Sequence, residues 1–282
     1  MQLVDGHTHL FAAEQAASRA AIAAHDATFA EMYADPAAKM ADGPALVRAL
    51  DAAAIDAAVA AGFAFTEAGD LDAQNAALIE AAQQHHDRVW PLATTNLALP
   101  GWRAELERWL RVGARGIGEL RPHNQGWDPL GPEAHQLCEL AAAANVPLLW
   151  HVSEPVGHAY PGKRGGISPV ELIALASAHR TTKHVAAHLG GGLSFYLQMP
   201  EVREAIDSIY FDTAAVSLLY DNESVARLVG IAGPDRVIFG SDFPLLSPAR
   251  QLQRLRANLG ADVAVAVCGG NAAFLFGNRS LR

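Results

Sequence analysis

The run Val4-Asp5-Gly6-His7-Thr8-His9-Leu10 stands almost at the start of the chain and decides how the rest is read. The apolar-rich beginning, Met1 to Val4, predicts a short strand, and strand side chains alternate faces with period two. His7 and His9 therefore project the same way from the end of that strand, as a chelating pair requires. Neutral imidazole is a good ligand for zinc and similar divalent ions. Two histidines hydrogen-bonded at a strand end would look the same locally, so the rest of the chain has to discriminate.

Outward from this run, short apolar segments recur between longer helical stretches. The strands expected are Leu3 to His7, Ile55 to Phe65, Val89 to Asn96, Ala114 to Arg121, Val146 to Val152, His184 to Leu189, Ile209 to Thr213 and Arg236 to Ser241. Helical patterns fill most gaps, among them Ala45 to Ala54, Leu71 to His85, Trp102 to Leu110, Pro132 to Ala144, Pro169 to Ala178 and Pro248 to Leu259. Strands alternating with helices give a parallel sheet, either closed into a (β/α)8 barrel or left open and doubly wound. Polar residues at the C-terminal end of one run after another (His7 and His9, Glu119 and Arg121, His151, His188, Asp242) favour the barrel, in which those ends meet in one ring. No Gly-x-Gly-x-x-Gly turn follows the first strand, so a dinucleotide-binding reading has no support.

The 282 residues suit one α/β TIM barrel, which commonly takes about 250 residues. A single domain over 1–282 is expected, with residues 11–44 as a helical insertion, longer than a normal strand-to-helix loop and placed to act as a lid. With 51% hydrophobic and 18% charged residues the chain can bury a substantial core. Its net charge of −9 with no dense Lys/Arg tract argues against nucleic acid as a partner. Two distant cysteines, Cys138 and Cys268, suggest no disulfide framework, and no apolar stretch is long enough for a membrane span. A cytoplasmic location and a small-molecule substrate are expected; a homodimer is allowed.

His151 ends the buried-strand pattern Pro147-Leu148-Leu149-Trp150, His188 precedes Gly190-Gly191-Gly192, and Asp242 follows Val237-Ile238-Phe239-Gly240-Ser241. Each alone could cap the next helix. Three such groups at equivalent strand ends, added to His-x-His, are hard to explain by capping, because ionisable groups are seldom buried unpaired. His184 shares a strand with His188 but lies at its opposite end and reads as structural. His85 and His86 read as solvated, and His25, His135 and His179 as ordinary helical histidines.

At this point the chain resembles the amidohydrolase superfamily, in particular the branch of metal-dependent hydrolases and decarboxylases that includes aminocarboxymuconate semialdehyde decarboxylase and pyrone dicarboxylate lactonase. The resemblance rests on Asp5-Gly6-His7-Thr8-His9, His151, His188 and Phe239-Gly240-Ser241-Asp242-Phe243-Pro244, with Asn271 to Phe276 as a weaker echo. It implies that His7, His9, His151 and Asp242 hold one divalent ion, zinc first, with His188 beside the bound water or substrate. The fourth strand carries Glu119 where relatives with two metals often place a bridging lysine or glutamate. Glu119 is thus either a further ligand, admitting a second ion, or the partner of Arg121 in a structural ion pair. Asn271 is expected to cap the last helix. The glycine-rich loop 157–166, with Tyr160 and Arg164, and Arg121 beside it, are candidates for substrate contact, their cations suited to a carboxylate.

The reaction expected first is hydrolysis of an ester, lactone or amide by ion-activated water, with Asp242 accepting its proton and His188 stabilising the oxyanion. The alternative is non-oxidative decarboxylation of a small carboxylic acid. No Gly-x-Ser-x-Gly nucleophile elbow is present.

Overall fold

The computed structural model describes residues 2–277; Met1 and 278–282, part of the expected first strand and domain span, lie outside the described residues. Eight strands, β1 (Val4–His9), β2 (Ala57–Ala61), β3 (Val89–Ala93), β4 (Gly116–Leu120), β5 (Leu148–Trp150), β6 (His184–Ala186), β7 (Ile209–Asp212) and β8 (Val237–Ile238), pair in that order. All seven successive pairings are parallel. The ring closes through a Thr8–Phe243 bridge, with Gly6 N donating to Phe239 O (2.7 Å) and His9 N to Phe243 O (2.7 Å). The chain is a single-domain (β/α)8 barrel. The strands are mostly shorter than the apolar runs that announce them, because barrel strands diverge at both rims and lose their ladder partners there.

The two faces of each strand serve two cores. Ala57, Val59 and Ala61 join Val4, Leu92, Leu149, Val185 and Ile238 inside the barrel. Ala58 and Ala60 face outward to Leu46, Leu50 and Leu78 of the surrounding helices. Small side chains on β2 let the interior close around larger neighbours, which gives the alanine bias a packing role at this strand. Ala272, Leu275 and Phe276 of the last helix, Asn271–Phe276, belong to the interior cluster. Asn271 does not act as the expected cap: its Nδ2 donates to Pro234 O (2.8 Å) and Val237 O (2.7 Å), fastening the helix to β8.

The insertion after β1 folds as three short helices, Ala13–Ala17, Arg19–Ala23 and Ala27–Tyr33. Phe11, Ile22 and Phe29 pack on Phe63, Phe65 and Leu71. Asp26 anchors the turn: it caps Phe29 N and accepts from Thr66 N and Oγ1. Cys138 and Cys268 are both buried and free. Among the described residues no helix is long and apolar enough to cross a membrane.

Candidate active site

The C-terminal strand ends bring six ionisable side chains together, five of them on the floor of one cavity and His7 buried just beneath. His7 and His9 leave β1 on the same side, and their Nε2 atoms lie 3.0 Å apart. Asp242, just past β8, puts Oδ1 3.5 Å from His9 Nε2. Glu119 reaches both flanks: Oε2 is 3.7 Å from His9 Nε2, while Oε1 is 4.0 Å from His7 Nε2, 3.0 Å from His151 Nδ1 and 3.7 Å from His188 Nε2. His188 Nε2 and His151 Nδ1 are 3.3 Å apart. The donor atoms thus form two trios, His7–His9–Asp242 and Glu119–His151–His188, each compact enough to hold a metal ion.

Two of these residues are held in backbone conformations that L-residues avoid. His188 has φ 58° and Asp242 φ 62°, a strain of about 1–3 kcal/mol each that surrounding contacts must offset. Asp212 Oδ1 accepts His188 N (2.9 Å), and His7 O accepts Asp242 N (3.0 Å). Gly240 keeps its place for a different reason: a Cβ there would stand 2.8 Å from that of His7.

Asp212 is the residue that sequence reading missed. It sits fully buried at the end of β7, and its Oδ2 accepts from His7 Nδ1 at 2.7 Å. That contact fixes the ring so that Nε2 faces His9 and Glu119. The signal was present, a carboxylate closing the apolar run Ile209-Tyr210-Phe211. Asp5, also missed, is fully buried and ties β1 to the Asp242 turn, accepting from Ser241 N (2.9 Å) and His7 N (3.3 Å). Burial pushes its carboxyl up to about 7, against the opposing hydrogen bonds from Ser241 and His7.

Electrostatically the site calls for positive charge. Burial works against a charged His7, yet the Asp212 carboxylate and hydrogen bond, with Glu119 and Asp242, raise it to about 10. Burial likewise opposes a charged His188, which the hydrogen bond to Glu119 and the Asp242, Glu119 and Asp212 charges lift to about 9. His9 is lowered by burial and by His7, and His151 falls to about 4 through burial and Arg121. Burial opposes ionisation of Glu119, but His151, His188 and His7 hold it well below the usual carboxylate range. Imidazoles converging among Glu119, Asp242 and Asp212 suit a divalent cation. Ligands about 2.0–2.1 Å from a tetrahedral zinc ion lie about 3.3–3.4 Å from one another; the 3.3 Å His151–His188 separation matches this and the 3.0 Å His7–His9 separation is slightly shorter.

Above this floor lies a cavity of about 690 Å³. The insertion contributes Met32, Tyr33 and Lys39; Phe63, Leu218 and Leu245 add apolar wall; Arg121, His158 and Tyr160 line it too. Arg121 is not spent on Glu119. Its Nη2 donates to Gly162 O (2.6 Å) and Arg164 O (2.8 Å), its Nε to Asn124 Oδ1 (3.1 Å), and Nη1 meets Met32 Sδ at 3.6 Å. Arg164 is exposed, is not among the residues lining the cavity, and contributes its carbonyl. His184 is buried at the far end of β6, where Trp150 Nε1 donates to its Nδ1 (3.1 Å).

No curated protein matches the chain by sequence. Among solved structures it is similar to 5-carboxyvanillate decarboxylase from Sphingomonas paucimobilis, with TM-score 0.77 and 18% identity over 98% of each chain. It is similar to the enzyme of that name from Novosphingobium aromaticivorans, complexed with manganese and 4-hydroxy-3-methoxy-5-nitrobenzoic acid (TM-score 0.76, 18% identity, 98% of this chain and 96% of that one). A third is 2,6-dihydroxybenzoate decarboxylase from Rhizobium (TM-score 0.71, 16% identity, 98% and 99%). These neighbours overturn the expectation of ester, lactone or amide hydrolysis, because they are decarboxylases. The donor set could not have chosen between the reactions: an ion at these strand ends serves either one. The family model described as amidohydrolase matches residues 4–277, and the chain belongs to that family.

Proposed function

We propose that the protein is a metal-dependent, non-oxidative decarboxylase of a small, unsaturated carboxylic acid. The observation that carries this reading is the barrel shared along nearly its whole length with decarboxylases; the buried imidazoles and carboxylates at the floor of a mostly apolar cavity are where the reaction would take place. The decarboxylases of the same fold support it, and two of their structures hold benzoic acid ligands. His7, His9, His151 and Asp242 are the proposed ligands of one divalent ion, with Glu119 between the two trios as a further ligand. A mixed set of imidazoles and carboxylates suits zinc or manganese, and the Novosphingobium structure contains manganese. When bound, the ion supplies a fixed positive charge that orients an anionic substrate and stabilises charge left on it.

The chain's own groups do the rest. Arg121 is 2% exposed, and among the described residues its Nη1 meets only a weakly accepting thioether, so that nitrogen is free to take a substrate carboxylate. Phe63, Tyr33 and Leu245 flank the remainder and exclude water. Moving a carboxylate into apolar surroundings is costly, and losing neutral CO₂ relieves that cost. The C–C bond breaks with its electron pair left on the substrate carbon, which then takes a proton; His188, raised against burial by its hydrogen bond to Glu119 and by the Asp242 charge, stands at the floor to deliver it. Segment 11–44 acts as the lid, since Met32, Tyr33 and Lys39 roof the cavity.

The test is a panel of hydroxybenzoic and other unsaturated carboxylic acids with ion-loaded protein in D₂O. CO₂ release with one deuterium at the vacated carbon is expected. Turnover that incorporates solvent oxygen and releases no CO₂ would refute the proposal.

A further inference from the structure

Past β5 a line of polar groups runs away from the ion site. His151 turns Nδ1 toward Glu119, and its other ring nitrogen, Nε2, lies 2.9 Å from Ser153 Oγ. The Ser153 hydroxyl acts on the Tyr160 phenol in the sense of a donor to its oxygen, favouring the ionised form. That phenol donates to Glu154 Oε2 at 3.2 Å. Glu154 Oε1 and the Tyr220 hydroxyl are both buried without a hydrogen-bond partner among the described residues, and burial and Glu154 push the Tyr220 phenol up. None of these four residues belongs to either ligand trio.

The direction of the line follows from its terminus. A carboxylate has no proton to give, so Tyr160 must donate toward Glu154. The Tyr160 oxygen is then the acceptor for Ser153, and Ser153, its own proton committed, must accept from His151 Nε2–H. A neutral imidazole carries one ring proton, so Nδ1 keeps its lone pair. We infer that Glu154 is a positioning residue: acting through Tyr160 and Ser153, it holds the His151 proton on Nε2 and turns the Nδ1 lone pair toward the divalent ion. Glu119 Oε1, 3.0 Å from Nδ1, pulls that proton the other way in the ion-free site, and Glu154 supplies the opposing bias. The Tyr160 phenol stays protonated throughout, pushed up to about 12 by burial and by Glu154. A carboxylate acting on a ligand imidazole is a familiar arrangement; here two hydroxyls stand between them. The inference rests on the proposed role of His151 as an ion ligand.

The experiment is zinc affinity of the full chain, measured by competition with a chromophoric chelator. Glu154→Gln, whose amide can also donate, and Tyr160→Phe, which breaks the line, should each weaken zinc binding about tenfold. Tyr220→Phe leaves the path from His151 to the carboxylate intact and should bind zinc as the parent does. In the cobalt(II)-loaded protein, the shifted ring N–H proton of His151 should exchange with water faster in the first two variants only. Parent-like zinc affinity and parent-like exchange in Glu154→Gln and Tyr160→Phe overturn the inference. So does an equal loss in Tyr220→Phe, which would make the effect one of packing. If His151→Ala binds zinc as tightly as the parent, the ion site itself falls and takes the inference with it.

Discussion

Asp212→Asn changes one oxygen to nitrogen at a point where every hydrogen bond is already assigned. In the native chain Oδ2 accepts from His7 Nδ1 at 2.7 Å, and Oδ1 accepts the main-chain N–H groups of His188 (2.9 Å) and Ala214 (3.0 Å). An asparagine amide must turn its NH₂ toward one of these. Facing the main-chain donors, it sets donor against donor and loosens the left-handed His188. Facing His7, it forces Nδ1 to accept, moves the ring proton to Nε2 and removes the lone pair aimed at the ion. Losing such support for a ligand imidazole costs about 10–100-fold in ion affinity, or about 1.4–2.7 kcal/mol. In the ion-free protein the damage is larger, because both partners are fully buried and breaking a buried pair costs about 3–5 kcal/mol. At about 2–4 °C per kcal/mol for a chain of this size, the melting temperature should fall by about 6–20 °C. Chelator competition and thermal circular dichroism measure the two effects separately. Parent-like ion affinity with a melting temperature within a degree of the parent would refute the reasoning.

Three further outcomes follow from particular contacts. Burial lowers His184 to about 3; with the folded value below the unfolded one, its contribution is complete above about pH 6.5 and lost as pH falls toward 3. His184→Gln, which can still accept from Trp150, should therefore flatten urea-unfolding midpoints between pH 6.5 and 4, by up to about 1.4 kcal/mol per pH unit. Arg121→Lys keeps the charge but loses the fork that holds Gly162 O and Arg164 O; KM should rise about tenfold or more, and trypsin should cut sooner at Lys163 or Arg164. Stripping the ion from protein held at 100 times its Kd should cost about 2.7 kcal/mol, about 5–11 °C in melting temperature, restored on adding zinc or manganese; an unchanged melting curve would count against an ion in this site.

Much of this protein was legible in one dimension. Alternation of apolar runs with helical stretches is a local property, and it specified a parallel sheet, closed or open, with the polar strand ends favouring the closed barrel. Histidines and acids at the ends of those runs marked the functional rim, since barrel topology brings every strand's C-terminus to the same face. Roles that depend on distance between distant segments were not legible. Glu119, two residues from Arg121, read either as an ion ligand or as that arginine's partner; in the fold Arg121 holds the loop carbonyls of Gly162 and Arg164 while Glu119 faces the imidazoles. Asp212 and His7 are 205 positions apart and meet at 2.7 Å, a contact that no periodicity encodes. Asn271 reads as a cap from its neighbours in sequence and is a tether to β8 in space. Residue type and local pattern fix which chemistry a side chain can perform; which partner it meets is decided by closure of the barrel, because only the folded chain sets those distances.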